Sequence, residues 1–209
     1  MSDAMGLFDG ITIVGLTGQS GAGKSTVSKI FKDYGLSVID ADSVSRSVAK
    51  KESFLNEVKK SFPDCVTEQG LDRQKLAGIV FNNKQALKSY TDLIFPYITH
   101  EIFAGIRMYK LSGKKVVVLD APTLFESGLD SICQKIVSVI APMDVKIKRI
   151  LERDGIPVEL VRSRLSSQNS EAFFREKSDY VIVNDSDLRE LQIKACDIAG
   201  KIAEAERIS

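Results

Sequence analysis

Histidine is nearly absent: the 209 residues hold one, His100, between Thr99 and Glu101 in a stretch of helical pattern. A Ser-His-Asp hydrolase would have to be built on that single ring, and a lone histidine more often packs or sits on a helix surface. Cysteine is scarce too. Cys65, Cys133 and Cys196 are odd in number, far apart and without a C-x-x-C pair, which argues against a disulfide framework and against structural zinc. No apolar run approaches the ~20 residues that cross a bilayer. The net charge of +1 lacks the basic excess of a sequence-independent nucleic-acid binder. Residues 1–10 carry Asp3 and Asp9 and lack a basic-then-apolar signal pattern. The expectation is a cytoplasmic protein without a nucleic-acid or membrane partner, a monomer or weak homo-oligomer, whose first ten residues form a loose tail.

What is present is an apolar, β-branched run that breaks into glycines and then into a helix former: Ile11-Thr12-Ile13-Val14-Gly15-Leu16-Thr17, then Gly18-Gln19-Ser20-Gly21-Ala22-Gly23-Lys24-Ser25-Thr26. Gly18 to Ser25 fits G-x-x-x-x-G-K-[ST], the phosphate-binding P-loop. Its glycines let the backbone wrap phosphate oxygens with several N–H groups pointing inward, and the following helix adds the positive end of its dipole. Val27, Ile30, Phe31 and Tyr34 recur at helical spacing after the loop, so strand, loop and helix come in the confirming order. In this reading the backbone of Gly21, Ala22, Gly23, Lys24, Ser25 and Thr26 holds the phosphates of ATP. Lys24 reaches the β- and γ-phosphates, and the Ser25 hydroxyl ligates Mg²⁺.

Gly35 stands where a C-cap glycine belongs. Leu36 to Ile39 reads as a second strand, closed by Asp40-Ala41-Asp42. In a parallel sheet the carboxyl end of a strand beside the first faces the nucleotide site. Asp42 is therefore a candidate base or Mg²⁺ partner, and equally a candidate helix N-cap; the two do not exclude each other. Arg46, four residues on, shares its helix face and points at the same anionic substrate or pairs with Asp42. From Lys50 to Ser112 the pattern is helical and polar, with Asp72 a candidate cap and Pro96 a break or a new start. These roughly 60 residues exceed the dozen that a βαβ crossover needs, as a substrate-binding insert would.

Lys114 to Leu119 is the clearest strand, closed by Asp120. That is the Walker B pattern, whose acid helps hold Mg²⁺ directly or through water; an Asp capping a turn has the same appearance. Leu124 and Phe125, in the loop that follows, are apolar where solvent is expected, as residues covering a pocket or a flat base would be. Strands at Lys135–Ile140 and Tyr180–Val183 complete five. Between them lie Arg149 and Arg153, four apart on one helix face, then Arg162, Arg164 and Arg175: five of the ten arginines in the chain. Mixed charge of this kind also describes a solvated face, but cations after the fourth strand suit a lid that closes over phosphates.

These residues together resemble the dephospho-coenzyme A kinase family from about Ile13 to Leu191. The likeness rests on the P-loop, on Ile39-Asp40-Ala41-Asp42 with Arg46, and on Asp72-Arg73 followed by Leu76, Val80 and Phe81. It rests further on Asp120-Ala121-Pro122 with Leu124-Phe125-Glu126, on Arg149, Arg153, Arg164 and Gln168, and on Ser178-Asp179 to Asn184. Two departures are Phe95-Pro96, where the family usually has His-Pro, and Pro122-Thr123-Leu124, where Pro-Leu-Leu is common; neither falls on the phosphoryl-transfer groups. The resemblance implies transfer of the ATP γ-phosphoryl to the 3′-hydroxyl of dephospho-coenzyme A, with Mg²⁺. It implies an α/β fold: a doubly wound five-stranded parallel P-loop sheet (1–49, 113–143, 179–209), a helical coenzyme A insert (50–112) and a lid (144–178). Lys24, Asp42 and Arg149 are then catalytic, with Asp40 the weaker candidate base. Arg153 and Asn184 join the nucleotide site, Ser25 and Asp120 the metal, and Asp40, Asp42, Arg46, Asp120, Leu124 and Phe125 the substrate. The rival within the same chemistry is another small-molecule P-loop kinase, of nucleosides, nucleotides or sugars. A GTPase switch would need N-K-x-D after a strand, and Asn83-Lys84 is followed by Gln85-Ala86 in a helical region. A non-catalytic nucleotide-binding module is the third reading.

Overall fold

The β-branched runs become the sheet. A computed structural model describes residues 8–208, with side chains through Glu204. β1 (Thr12–Gly18), β2 (Ser37–Asp40), β5 (Val116–Asp120), β6 (Lys135–Ile140) and β7 (Tyr180–Val183) form a five-stranded parallel sheet in the order β2-β5-β1-β6-β7. Parallel strands are covered on both faces, which is why β5 is buried at every position. One expectation needs correcting: β2 is not the neighbour of β1, because β5 lies between them. The loose tail expected over residues 1–10 is also corrected at its end. Residues 1–7 lie outside the described residues, but Phe8 is buried and its carbonyl accepts from Ile11 N–H at 3.1 Å.

The chain divides into two compact units. The first runs to Ile39 and resumes at Met108. Its core packs Val14 and Leu16 of β1, Val116 and Val118 of β5, Val137 and Val139 of β6 and Ile182 of β7. Against these lie Val27 and Phe31 of α1 (Lys24–Asp33) and Leu191, Ala195, Ile198 and Ile202 of α9 (Leu188–Ile208). Gly35 follows α1 at φ +102°, the left-handed geometry of a C-cap glycine, and its N–H returns to Lys32 O. After β6 come α6 (Met143–Asp154), α7 (Val158–Ser166) and α8 (Glu171–Lys177).

The second unit, Asp40–Arg107, is helical. It holds α2 (Ala41–Val48), α3 (Glu52–Ser61), the two-residue strands β3 (Val66–Thr67) and β4 (Gly70–Leu71), α4 (Arg73–Val80) and most of α5 (Lys84–Leu111). Its core joins Val48, Phe54, Val58, Phe62, Leu76, Val80 and Ile94, with Tyr90 and Tyr97 edge-on to Phe54. Asp72 caps α4, accepting from Lys75 N–H at 2.9 Å. Two expectations differ here. The small antiparallel pair β3–β4 has no sequence signal at two residues per strand. Pro96 neither ends nor starts a helix but sits inside α5. A proline costs that helix one hydrogen bond and a clash; burial of Ile94, Ile102 and Ile106 along the same rod outweighs it.

Candidate active site

Glycine chemistry sets the loop after β1. Gly21 and Gly23 have φ of +76° and +101°, where a side chain is strained. A Cβ on Gly23 would come 2.3 Å from Asn184 Nδ2, and one on Gly18 would come 2.3 Å from Val139 O of the adjoining strand. The loop is therefore pressed against β6 and the end of β7, and only glycine lets it fit. Gly23 is the N-cap of α1, so Lys24, Ser25 and Thr26 open that helix with their N–H groups in the first turn. Ser25 is exposed and Ala22 buried.

Register brings Asp120 to the same place. Leu16 pairs with Asp120 across β1 and β5, and Ala121 N–H donates to Leu16 O at 2.9 Å. Lys24 Nζ forms an ion pair with Asp120 Oδ1, their side chains being 17% and 7% exposed. The Walker B acid and the loop lysine thus meet directly. Arg149, on α6, donates from Nη1 to Gly21 O at 3.4 Å and from Nη2 to Asn184 Oδ1 at 3.3 Å. Asn184 is buried and donates from Nδ2 to Ala22 O at 2.7 Å. Its amide holds the loop on one side and the arginine on the other.

Arg153 goes elsewhere. Its guanidinium grips Asp154 at 2.6 and 2.9 Å, and Arg164 donates to the same carboxylate at 2.9 Å. The hydrogen bonds from Arg153, ahead of the nearby charges, hold the Asp154 carboxyl below its usual range. One helix face therefore sends one arginine to the loop and keeps the other in a local pair. Leu124 also departs from expectation. It is wholly buried, with Cδ2 2.6 Å from the position of a Gly15 Cβ, so it packs on β1 and does not cover a pocket. Phe125 is half-buried and meets Phe173 and Phe174 of α8, at ring-centroid distances of 5.0 and 6.0 Å.

In the helical unit, Asp40 and Asp42 stand at the start of α2 and Arg46 in its last turn, and the structure separates the two acids. Asp40, not Asp42, is the N-cap: Oδ1 accepts from the N–H groups of Asp42 and Ser43 at 2.9 and 3.1 Å, and Oδ2 from the Ser43 hydroxyl at 2.7 Å. Burial pushes the Asp40 carboxyl up, but the Ser43 hydroxyl, the two backbone donors and Arg46 together hold it below its usual value. Arg46 lies 3.8 Å from Asp40 Oδ2 and donates to Ser43 Oγ at 2.7 Å, so its partner is Asp40 and not Asp42. The Asp42 carboxylate is exposed and takes part in none of these bonds. Beside Arg46 a groove of about 710 Å³ is lined by Lys50, Arg73, Leu55, Leu71 and Glu68.

A family model described as dephospho-CoA kinase matches residues 12–190. The chain belongs to the dephospho-CoA kinase family. A dephospho-CoA kinase of Fusobacterium nucleatum is 40% identical over 187 residues, covering 87% of this chain and 93% of that protein. One from Arabidopsis thaliana is 40% identical over 86% of this chain and 78% of its own length. The solved dephospho-CoA kinase of Campylobacter jejuni superposes with a TM-score of 0.73 at 26% identity, covering 92% of this chain and 98% of its own.

Sequence reasoning missed part of this candidate site. Gln19, inside the loop, is buried, as is Lys146 on α6. Lys146 was discoverable: it stands four residues before Ile150 on the one buried stripe of α6, where helical periodicity calls for an apolar residue. Gln168 was expected only as part of the arginine segment. Its Oε1 in fact accepts from Ser20 N–H at 3.0 Å, fastening that segment to the loop. His100 is exposed on α5 and enters none of these groups.

Proposed function

We propose that this chain transfers the γ-phosphoryl of ATP to the 3′-hydroxyl of dephospho-coenzyme A. The observation that carries the reading is the setting of the loop: Lys24 paired with Asp120, and Arg149 bound to Gly21 O, around a helix N-terminus. Two cations and a row of N–H groups converge where a triphosphate would lie. In a loose transition state, positioning and charge stabilisation do nearly all the work. Lys24 turns from Asp120 to the β- and γ-phosphates, and Arg149 stabilises charge on the transferring group. Arg153 follows once its hold on Asp154 is released, as residues 144–178 close as a lid.

Ser25 and Asp120 are the proposed Mg²⁺ holders. A hydroxyl and a carboxylate are the hard oxygen donors that this ion takes, usually along with several waters and phosphate oxygens. When bound, it neutralises phosphate charge. Asp42 orients the acceptor hydroxyl and takes its proton, a role favoured by a carboxylate that no cap or ion pair among the described residues consumes. Asp40 instead fixes the helix that carries Asp42. The helical unit supplies the acceptor site, where Arg46, Lys50 and Arg73 along one groove suit the diphosphate of dephospho-coenzyme A and Leu55 and Leu71 its pantetheine arm. Phe125 borders the acceptor. Among the described residues no helix is long and apolar enough to cross a membrane. A cytoplasmic location and a monomeric or weakly oligomeric state are further parts of the proposal.

The test is a phosphorylation assay offering ATP with dephospho-coenzyme A, common nucleosides, nucleotides and sugars. Mass spectrometry should find one phosphoryl group added to dephospho-coenzyme A at the 3′ position. Turnover of a nucleoside or sugar alone would overturn the reading.

A further inference from the structure

Lys146 is the one lysine or arginine buried among the described residues, at 3% exposure. Its Nζ donates to Gln19 Oε1 at 2.6 Å. Lysine offers only donors, whereas an amide side chain offers an acceptor at one end and donors at the other. Facing Lys146, Gln19 must present its oxygen, which turns Nε2 the opposite way. There it donates to the carbonyl of Asn169 at 3.0 Å. Asn169 in turn donates from Nδ2 to Glu126 Oε1 at 2.9 Å, and its neighbour Gln168 accepts from Ser20 N–H. The backbone of Lys146 supports the same loop, since its carbonyl lies 2.9 Å from the position of a Gly21 Cβ.

We propose that Lys146 is a positioning residue for phosphoryl transfer, acting through Gln19 to lock the first half of the phosphate loop to the Gln168–Asn169 segment. A buried ammonium with one neutral acceptor among the described residues is a costly arrangement. Burial lowers its pKa from the usual lysine value, while Glu171 pulls the other way. Stability alone would favour an apolar residue on that stripe. The cost is offset when a polyanion occupies the loop, because Lys146 then adds unscreened positive charge behind it. Lys146 thus joins three strand ends through one amide: the loop after β1, the Glu126 loop after β5 and the helices after β6.

The inference rests on the kinase reading, and its test separates the two. ATP affinity is measured by calorimetry without acceptor, and kcat and KM with dephospho-coenzyme A, on the full chain and on Lys146→Met, Gln19→Met, the double variant and Lys146→Gln. Lys146→Met should weaken ATP binding and lower kcat by about ten- to a hundredfold, the scale of a misplaced reacting group, with KM for the acceptor unchanged. Gln19→Met should match it, and the double variant should be no worse than either, as for residues that act through one contact. Lys146→Gln, which still donates a hydrogen bond, should recover most of the loss. The melting midpoint of Lys146→Met should stay within a few degrees of the parent. Unchanged ATP affinity and kcat in Lys146→Met, additive losses in the double variant, or losses that merely follow a lowered melting midpoint would each overturn the proposal. A parent chain that binds ATP but leaves dephospho-coenzyme A unphosphorylated would overturn the kinase reading instead, while the ATP affinities would still decide the role of Lys146.

Discussion

Lys24, in the first turn of α1, is held by Asp120, the last residue of β5, in a pair almost closed to solvent. The loop lysine is therefore paired with the acid proposed to share the metal. Removing the lysine strands a buried carboxylate, and breaking such a pair costs about 3–5 kcal/mol. Lys24→Met should lose turnover and lower the melting midpoint together. Adding Asp120→Leu should restore the midpoint but not the activity. Thermal unfolding beside the kinase assay checks both halves.

The two acids of α2 should separate by readout. Asp42→Asn should lower kcat by about 10²–10⁴, the range for a lost general base, with no change in melting. Asp40→Ala removes a cap and should cost about 0.5–2 kcal/mol of stability. If Asp42→Asn retains full turnover, the assigned base is wrong.

The same cap has a pH signature. The carboxyl of Asp40 is held below its ordinary 3.8, so the folded state binds its proton less readily than the unfolded state does. Its stabilising contribution is complete above about pH 4 and fades as pH falls through the folded-state value. The difference in denaturation midpoint between the parent and Asp40→Ala should be widest near neutrality and shrink below pH 3.8. A difference that grows on acidification would contradict this.

The two arginines of α6 should not be equivalent. Arg149 is bound to the loop and to Asn184, Arg153 to Asp154. Arg149→Met should lower kcat by about 10³ or more, as for arginines on a transferring phosphoryl group. Arg153→Met should cost tenfold or less, and Asp154→Asn, which frees Arg153, should leave ATP affinity unimpaired. Equal losses at positions 149 and 153 would refute the division.

The cysteines should differ in reactivity. Burial pushes the Cys133 thiol up to about 12, with Asp130 adding to the shift, and burial also raises Cys65. The thiolate is the reactive form, so iodoacetamide at pH 8 should label Cys196 in the native protein and spare the other two. Peptide mapping after brief alkylation gives the answer.

Much of this was legible in the chain because its causes are local. A β-branched run, glycines in left-handed geometry and a helix start identify the loop at Gly18–Ser25 from neighbours in sequence. The run at 116–119 closed by Asp120 marks the opposing acid in the same way. Asp72 as a cap and Gly35 as a terminator also depend on only a few adjacent residues.

Other features depend on residues far apart in sequence, and only the tertiary structure decided them. The insertion of β5 between β2 and β1 is a matter of pairing. So is the passage of α5 through Pro96, where distant packing outweighs a local penalty. Which aspartate caps α2 turned on backbone geometry at the end of β2, and which arginine reaches the loop turned on where Asn184 and Asp154 stand. Lys146 meets Gln19 across 127 positions of chain. By itself the sequence determined the chemistry of the loop, because phosphate binding needs only short-range backbone geometry and charge. The tertiary structure decided which side chains hold that loop in place, because hydrogen bonds and ion pairs act over a few ångströms in space whatever their separation in sequence.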